Sequence, residues 1–171
     1  VEMWRRLEAE GQDPLQAGTS APYPPTTILT TRLADSAIAQ LREDWLAACM
    51  AFDEQRAEWV LSEAFALYPP ETVCLELLRE GLSQVGERWY RGEVTVQQEH
   101  FTSELAIRRL ESLIMASPPP TRPGRIMAAC PPQERHTFGL LLLTFLLRRR
   151  GWDVLYLGAD VPLDRIKVAI D

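Results

Sequence analysis

The fold class follows from residues 125–157, which read RIMAACPPQERHTFGLLLLTFLLRRRGWDVLYL. The first six residues are a short apolar run of the kind that forms a buried strand. Residues 134–150 have the length and apolar content of a buried helix, and Gly151 supplies its C-terminal stop. Residues 152–157 are a second predicted strand, and Pro162 opens a predicted helix over residues 163–170. Strand, helix, strand and helix in this order predict the start of a parallel α/β sheet.

Four helices are predicted upstream of this sheet, over residues 35–49, 53–68, 71–90 and 95–116. Apolar residues recur in each at spacings of three and four, and Pro69-Pro70 and Gly92 mark two of the ends. Because short loops join them, the helices are expected to form an antiparallel bundle. The fold class is therefore α + α/β, a four-helix bundle followed by the start of an α/β domain. The residues predicted to be buried in the bundle are Ile38, Leu41, Trp45, Leu46, Cys49, Ala57, Val60, Leu61, Ala64, Leu67, Val73, Leu75, Leu78, Leu82, Val85, Phe101, Leu105, Ile107, Leu110 and Ile114.

Proline and glycine mark the predicted domain boundaries. Residues 1–33 are interpreted as a helix over residues 1–11 and a linker, which is either a disordered end or the tail of an upstream domain. Residues 34–117 form the predicted bundle, and residues 118–124 (PPPTRPG) are a predicted hinge. Residues 125–171 suffice for one βαβ unit of about 30 residues. We therefore expect the α/β domain to be incomplete in this chain.

The composition is that of an ordinary globular protein. The 171 residues are 46% hydrophobic and carry a net charge of −6, which disfavours nucleic-acid binding by the surface as a whole. The longest apolar run, residues 140–147, is far shorter than the roughly 18 residues of a membrane span. The chain has three cysteines and no CxxC pair, so neither a disulfide framework nor a zinc site is indicated. A reducing cytoplasm is the simplest setting.

His136 is the first candidate site residue. It follows the first predicted strand, and ligands of open α/β sheets bind outside the carboxyl ends of the strands. Its imidazole could ligate a metal, with Glu134 fixing the ring tautomer. Gly139 has no side chain and would let a large ligand approach the helix backbone. The competing interpretation is an ordinary surface or capping histidine.

A second candidate group lies in the bundle. Trp89 ends the third predicted helix, and Glu99 and His100 open the fourth, so the three side chains could face one cavity. An indole offers a flat apolar surface and a carboxylate accepts hydrogen bonds, a combination that suits a nucleoside-like group. The competing interpretation is a core tryptophan with Glu99 and His100 on a solvated face.

These motifs together resemble one family. Trp89-x9-Glu99-His100 followed by Glu134-x-His136-x-x-Gly139 is similar to the cobalamin-dependent light-sensing transcriptional repressors, MerR-type regulators with C-terminal adenosylcobalamin-binding photoreceptor domains. The resemblance covers residues 34–171 and implies a four-helix bundle over a Rossmann-like cobalamin domain. It also implies a DNA-binding domain that this sequence does not include, with residues 1–11 as a possible remnant, and downstream segments that hold the nucleotide tail.

The resemblance further implies a role for each motif residue. His136 would be the lower axial ligand of cobalt, Trp89 would stack over the adenosyl group and Glu99 would hydrogen-bond to it. His100 would lie near the upper face and take the vacated cobalt position after photolysis. Light would break the cobalt–carbon bond, shift the bundle and dissolve a dark-state tetramer that binds DNA. The chain would then be a cytoplasmic regulator and no enzyme.

Two other functions remain open from the sequence. One is the corrinoid-carrying module of a methyltransferase, which has the same architecture. Here Trp89, Glu99 and His100 discriminate, because a bulky adenosyl group needs a roof lined by tryptophan, whereas a methyl carrier usually has small or aliphatic cover. The other is an interaction domain that has lost its cofactor. No catalytic triad, P-loop or zinc motif is present in the sequence. Two basic clusters, residues 108–109 and 148–150, are interpreted as a solvated face and a helix C-terminus, or as contacts to acidic partners in a dimer.

Overall fold

The computed structural model describes the backbone of residues 26–162 and the side chains of residues 36–162. Of these, residues 26–37 belong to one compact unit and residues 38–162 to another. The predicted helices over residues 1–11 and 163–170, and residues 13–25 of the predicted linker, lie outside the described residues. None of the helices that the structure describes is long and apolar enough to cross a membrane.

Within the described range, four helical stretches precede the sheet. Helix α1 spans Thr26–Met50 and α2 spans Glu54–Leu67. Helix α3 is continuous over three segments, Pro70–Thr72, a π-helical segment Val73–Arg79, and Glu80–Tyr90. Helix α4 spans Val96–Met115.

The start of α1 corrects the sequence-based boundary. The predicted linker extended to residue 31 and the predicted helix began near Asp35, but α1 begins at Thr26. Residues 26–50 contain neither proline nor glycine, so no residue in that range interrupts helical hydrogen bonding. Threonine-rich composition alone was therefore a poor signal for a linker at residues 26–31.

The core of the bundle lies between the four helices. Trp45 is fully buried, and its indole lies against Gly81 of α3. Leu67 is a correction, because it is 64% exposed at the last residue of α2 rather than buried. Six of the other predicted core residues are only partly buried at the margin of the core; these are Leu41, Leu75, Leu82, Phe101, Ile107 and Ile114. Residues that the prediction missed but that are buried include Ala48, Cys74, Leu77, Thr102 and Ala106.

The π-helical segment of α3 contacts α1 through one polar side chain. Arg42 donates from Nη1 to the backbone oxygen of Glu76 over 2.7 Å. A π-helical turn shifts the normal helical hydrogen-bond partners by one residue, and such turns are frequent at functional sites. In this chain the segment precedes, on the same helix, the residues that border the crevice described below.

The α/β part consists of strand β1 (Arg125–Ala129), helix α5 (Phe138–Arg149) and strand β2 (Asp153–Gly158). The strands pair in parallel, with Arg125 opposite Asp153. Apolar residues of α5 join the same core as the bundle; these are Leu141, Leu142 and Phe145. The predicted fold class, a helical bundle followed by a parallel α/β unit, is confirmed.

The start of α5 is a second correction. The predicted helix began at Glu134, but residues 131–137 form a loop and α5 begins at Phe138. The loop is held by backbone hydrogen bonds to the segment after β2, a contact that local sequence does not reveal. As a result, His136 projects from a loop and not from a helix.

The predicted hinge is fastened to the turn between α5 and β2. The backbone N–H groups of Thr121 and Arg122 both donate to the carbonyl oxygen of Gly151 over 2.9 Å. The Arg122 guanidinium lies 5.3 Å from the centre of the Trp152 ring and donates through Nε to the Arg150 carbonyl. The C-terminal half of the segment therefore has fixed partners in the turn that leads into β2.

Candidate functional site

The loop between β1 and α5 is shaped by Asp160, which follows β2. Its carboxylate accepts from the N–H of Gln133 over 2.8 Å, and its own N–H donates to the Glu134 carbonyl over 3.0 Å. Gln133 and Asp160 both have positive φ, 73° and 51°, a conformation that costs energy outside glycine and persists where surrounding contacts hold it. Asp160 thus positions the residues next to His136. Sequence analysis missed it, although its place after the carboxyl end of β2 was a usable signal.

Glu134 and His136 form a tightly oriented pair. One carboxylate oxygen, Oε1, lies 2.7 Å from both the backbone nitrogen and the ring Nδ1 of His136. The His136 N–H and ring lower the pKa of Glu134 below its ordinary value, so the carboxylate is ionised at neutral pH and accepts both bonds. With Nδ1 carrying the proton, Nε2 is left as the free lone pair. The imidazole is 97% exposed, so this nitrogen is open to a ligand.

Gly139 is not required by packing within the chain. It is exposed in the first turn of α5, and a Cβ placed there would meet no described atom within 4 Å. Its φ is not in the left-handed region. The bare backbone at this point is therefore compatible with a large ligand lying against α5.

The first turn of α4 holds the second candidate pair. Thr95 and Gln98 form a capping box, and the Gln98 side chain also donates to the Met50 carbonyl over 2.8 Å. These bonds fix the turn that carries Glu99 and His100. Sequence analysis gave no role to Gln98, although a Thr-x-x-Gln pattern at a helix start is a known capping signal.

Both carboxylate oxygens of Glu99 have partners. Oε2 lies 2.7 Å from Nδ1 of His100, and Oε1 accepts from the Ser103 hydroxyl over 2.8 Å. The His100 ring is 75% exposed, and its Nε2 has no hydrogen-bond partner among the described residues. The site thus contains two glutamate–histidine pairs of the same kind, each with Nδ1 held by a carboxylate and Nε2 open.

A crevice between the bundle and the β1–α5 loop brings most of the predicted residues together. A cavity of about 450 Å³ is lined by Trp89, Glu99, His100 and His136, together with Gly86, Tyr90 and Val96. An adjoining cavity of about 300 Å³ is also lined by Glu99, His100 and His136, together with Ser103, Glu104, Ile107, Arg135, Thr137 and Phe138. Trp89 is half exposed and is therefore a wall of this space and not a core residue.

Glu134 and Gly139 do not line either cavity. Glu134 supports His136 through the hydrogen bonds described above, and Gly139 lies one residue beyond Phe138, which lines the smaller cavity. Sequence analysis missed Gly86, Tyr90, Ser103 and Arg135. For Gly86, a glycine inside a predicted helix was the available signal.

The donor set suits a cofactor that brings its own metal ligands. Among the residues that the structure describes, no group of three or more His, Cys, Asp or Glu side chains could hold a free metal ion. A corrinoid would need only one cobalt ligand from the protein, because its ring and its upper group supply the others. An open, tautomer-fixed imidazole beside an uncrowded glycine fits that requirement.

Three arginines of the two basic clusters pair with acidic residues of the same chain. Arg108 pairs with Glu54 over 2.6 Å, and Arg109 pairs with Glu58. Arg149 pairs with Glu71 over 2.8 Å, and this bond lowers the pKa of Glu71. These arginines are therefore ties between elements of one chain, so the interpretations as a free solvated face or a helix-end cluster are incomplete.

Comparisons with known proteins show which family and which fold this chain is similar to. Residues 41–114 match the family described as B12 binding domain. The monomethylamine corrinoid protein of Methanosarcina barkeri superposes with a TM-score of 0.57 at 21% identity, over 71% of this chain and 57% of that one, and shows the same fold. The family match covers most of the bundle and confirms the predicted similarity to B12-binding proteins.

More specific relatives are two repressors of Myxococcus xanthus. The HTH-type transcriptional repressor CarH is 40% identical over 129 residues, which are 75% of this chain and 43% of that protein. The HTH-type transcriptional repressor CarA is 36% identical over 124 residues, 72% of this chain and 41% of that protein. The predicted resemblance to transcriptional repressors is confirmed, and these relatives are regulators and not enzymes. The chain spans less than half the length of either repressor.

Proposed function

We propose that this chain is the adenosylcobalamin-binding, light-sensing region of a cytoplasmic transcriptional repressor. The observation that carries the proposal is the crevice that His136 lines together with Trp89, Glu99 and His100. When bound, adenosylcobalamin supplies a cobalt–carbon bond that light cleaves. The residues of the chain bind and orient the cofactor and convert the loss of its upper group into a movement of the bundle.

The lower side of the site is assigned to the β1–α5 loop. His136 offers Nε2 as the lower axial ligand, because Glu134 holds its Nδ1 proton and leaves that lone pair open. Gly139 leaves room for the ligand along α5.

The upper side is assigned to α3 and α4. Trp89 would offer its half-exposed indole as a stacking surface, and Glu99 would accept hydrogen bonds from the upper group. The Glu99 carboxylate also holds Nδ1 of His100, so Nε2 of His100 would be available as a second cobalt ligand in the absence of the upper group. The departure of a bulky group would thus exchange one set of contacts for another within the same crevice.

The regulatory output is assigned by similarity to the repressors. We propose a tetramer in the dark that binds DNA through a domain outside the described residues, and a smaller species in the light. The described surface contributes little to DNA binding, because several of its arginines are paired within the chain.

A spectroscopic titration tests the axial assignment. The full-length protein, loaded in the dark with adenosylcobalamin, should show the absorption spectrum of a cobalamin whose own base has been displaced by histidine. His136→Ala should abolish this spectrum, while the matched variant His100→Ala should keep it in the dark. A His136→Ala protein with the wild-type spectrum would refute the assignment.

Illumination tests the sensor function. Green light should convert the loaded oligomer to a smaller species on size-exclusion chromatography, and His100→Ala should give a less stable photoproduct. The alternative function is a methyl-carrying corrinoid module, favoured by the fold of the Methanosarcina protein. An elution volume that light leaves unchanged, with stable uptake of methylcobalamin, would favour that alternative.

A further inference from the structure

Helix α3 contains two interior glycines, and only one of them is explained by packing. A Cβ on Gly81 would lie 2.8 Å from Cζ3 of the buried Trp45, so glycine is required there. A Cβ on Gly86 would meet no described atom within 4 Å, and its φ is not in the left-handed region. Since glycine is less favourable than alanine in a helix interior, Gly86 has no structural reason within the described chain.

The position of Gly86 suggests that the glycine makes room for a ligand. Gly86, Trp89 and Tyr90 are spaced three and four residues apart and so share one face of α3. All three border the cavity of about 450 Å³, with Val96 on α4 also in its lining. Open space continues past Tyr90 into a depression lined by Gly86, Glu87, Tyr90 and Arg91. The missing side chain therefore leaves a gap in the wall beside the two aromatic rings.

We propose that Gly86 determines the size of the upper group that the site accepts. This inference rests on the proposed function: the gap beside Trp89 admits a nucleoside-sized group on cobalamin, whereas a methyl or hydroxyl group does not need it. A branched side chain at position 86 would enter the space of the larger group and leave room for the smaller ones. Gly86 contributes by having no side chain and so leaving space for the upper group, whereas Trp89 would contact that group directly.

The test compares two cobalamins on three proteins in the dark. The full-length wild type, Gly86→Leu and the control Ser83→Leu are titrated with adenosylcobalamin and with methylcobalamin, followed by absorption. Ser83 is exposed on the same helix and lines neither cavity, so its leucine adds the same side chain away from the site. Gly86→Leu should lower affinity for adenosylcobalamin relative to methylcobalamin by about tenfold or more, the effect expected of steric overlap. Ser83→Leu should keep the wild-type ratio.

The melting temperature of the unloaded proteins separates size selection from misfolding. A Cβ at position 86 meets no described atom, the position borders open cavities, and leucine is a better helix residue than glycine, so unloaded Gly86→Leu should melt no lower than wild type. A wild-type affinity ratio in Gly86→Leu, or an equal loss of both cobalamins, overturns the inference and leaves the proposed function standing. A wild-type protein that takes up neither cobalamin overturns both.

Discussion

Replacing Gly81 by alanine is expected to destabilise the protein, whereas the same change at Gly86 should stabilise it. A Cβ at Gly81 would lie 2.8 Å from Cζ3 and 3.3 Å from Cε3 of Trp45. Carbon atoms in contact are normally about 3.5–4.0 Å apart. Trp45 is fully buried and Leu46 is 2% exposed beside it, so the indole cannot move aside into solvent.

The magnitude follows from two opposing contributions. Both substitutions gain about 0.5–1 kcal/mol because alanine is a better helix residue than glycine. Only Gly81→Ala adds a steric cost, about 1–3 kcal/mol for overpacking a close-packed core. The helix contribution cancels when the two variants are compared with each other. The free energy of unfolding of Gly81→Ala should therefore be about 1–3 kcal/mol lower than that of Gly86→Ala.

Urea unfolding of the unloaded proteins, followed by circular dichroism, measures this difference. With a slope of about 2 kcal/mol per molar urea, the two midpoints should differ by about 0.5–1.5 M. The comparison requires equal slopes, because a changed slope would mean that the mutation altered the compactness of one state. Midpoints that coincide would refute the argument that packing requires glycine at position 81. They would also remove the difference between Gly81 and Gly86 on which the inference about Gly86 depends.

Three further perturbations probe other parts of the structure. Glu134→Ala should weaken cobalamin binding about 10–100-fold, because the imidazole of His136 loses the acceptor that orients it. Glu134→Gln should lose less affinity. Equal cobalamin affinities for the wild type and Glu134→Ala would contradict this prediction. Arg149→Ala should cost about 0.2–1 kcal/mol of unfolding free energy at neutral pH, a value for a partly exposed pair. Because Arg149 lowers the pKa of Glu71, this contribution is present above the ordinary carboxyl pKa and is lost as pH falls through the lowered value. A difference in urea midpoints that does not change with pH would contradict this assignment of the ion pair. Burial raises the pKa of Cys49 to about 12, so the rate of its alkylation in the native protein at pH 7 should be limited by unfolding. Mass spectrometry follows this rate, and alkylation of Cys49 as fast as that of a free thiol would refute the prediction.

Local sequence signals predicted the helices well where a breaker residue was present. Asp53 caps α2 through a bond to the Arg56 N–H, and α3 begins directly after Pro69. Where no breaker was present, composition misled: the start of α1 at Thr26 was missed. The exposure of Leu67 was missed because helical periodicity gives a face but not the point at which the neighbouring helices end.

The candidate site shows the same division between local and distant causes. The glutamate–histidine pairs were visible in sequence because their members are adjacent or two residues apart. The loop that carries His136 was not, since Asp160 holds it from 26 or more residues away along the chain. The gap at Gly86 was also out of reach, because only the coordinates show that the glycine borders a cavity and not a packed neighbour.

If the bundle moves, the fastening of residues 121–122 to the turn between α5 and β2 would act as its pivot. Arg148 adds to it by donating to the carbonyl oxygens of Ile114 and Val154, so the C-terminal end of α4 is anchored beside β2. His100 lies near the other end of α4, about 21 Å away at 1.5 Å per residue. A rotation of about 10° around the anchored end would swing the His100 end by about 4 Å, since displacement grows with distance along the rod. The anchored end of α4 would then hardly move, whereas the width of the crevice at the His100 end would change by more than the length of a hydrogen bond.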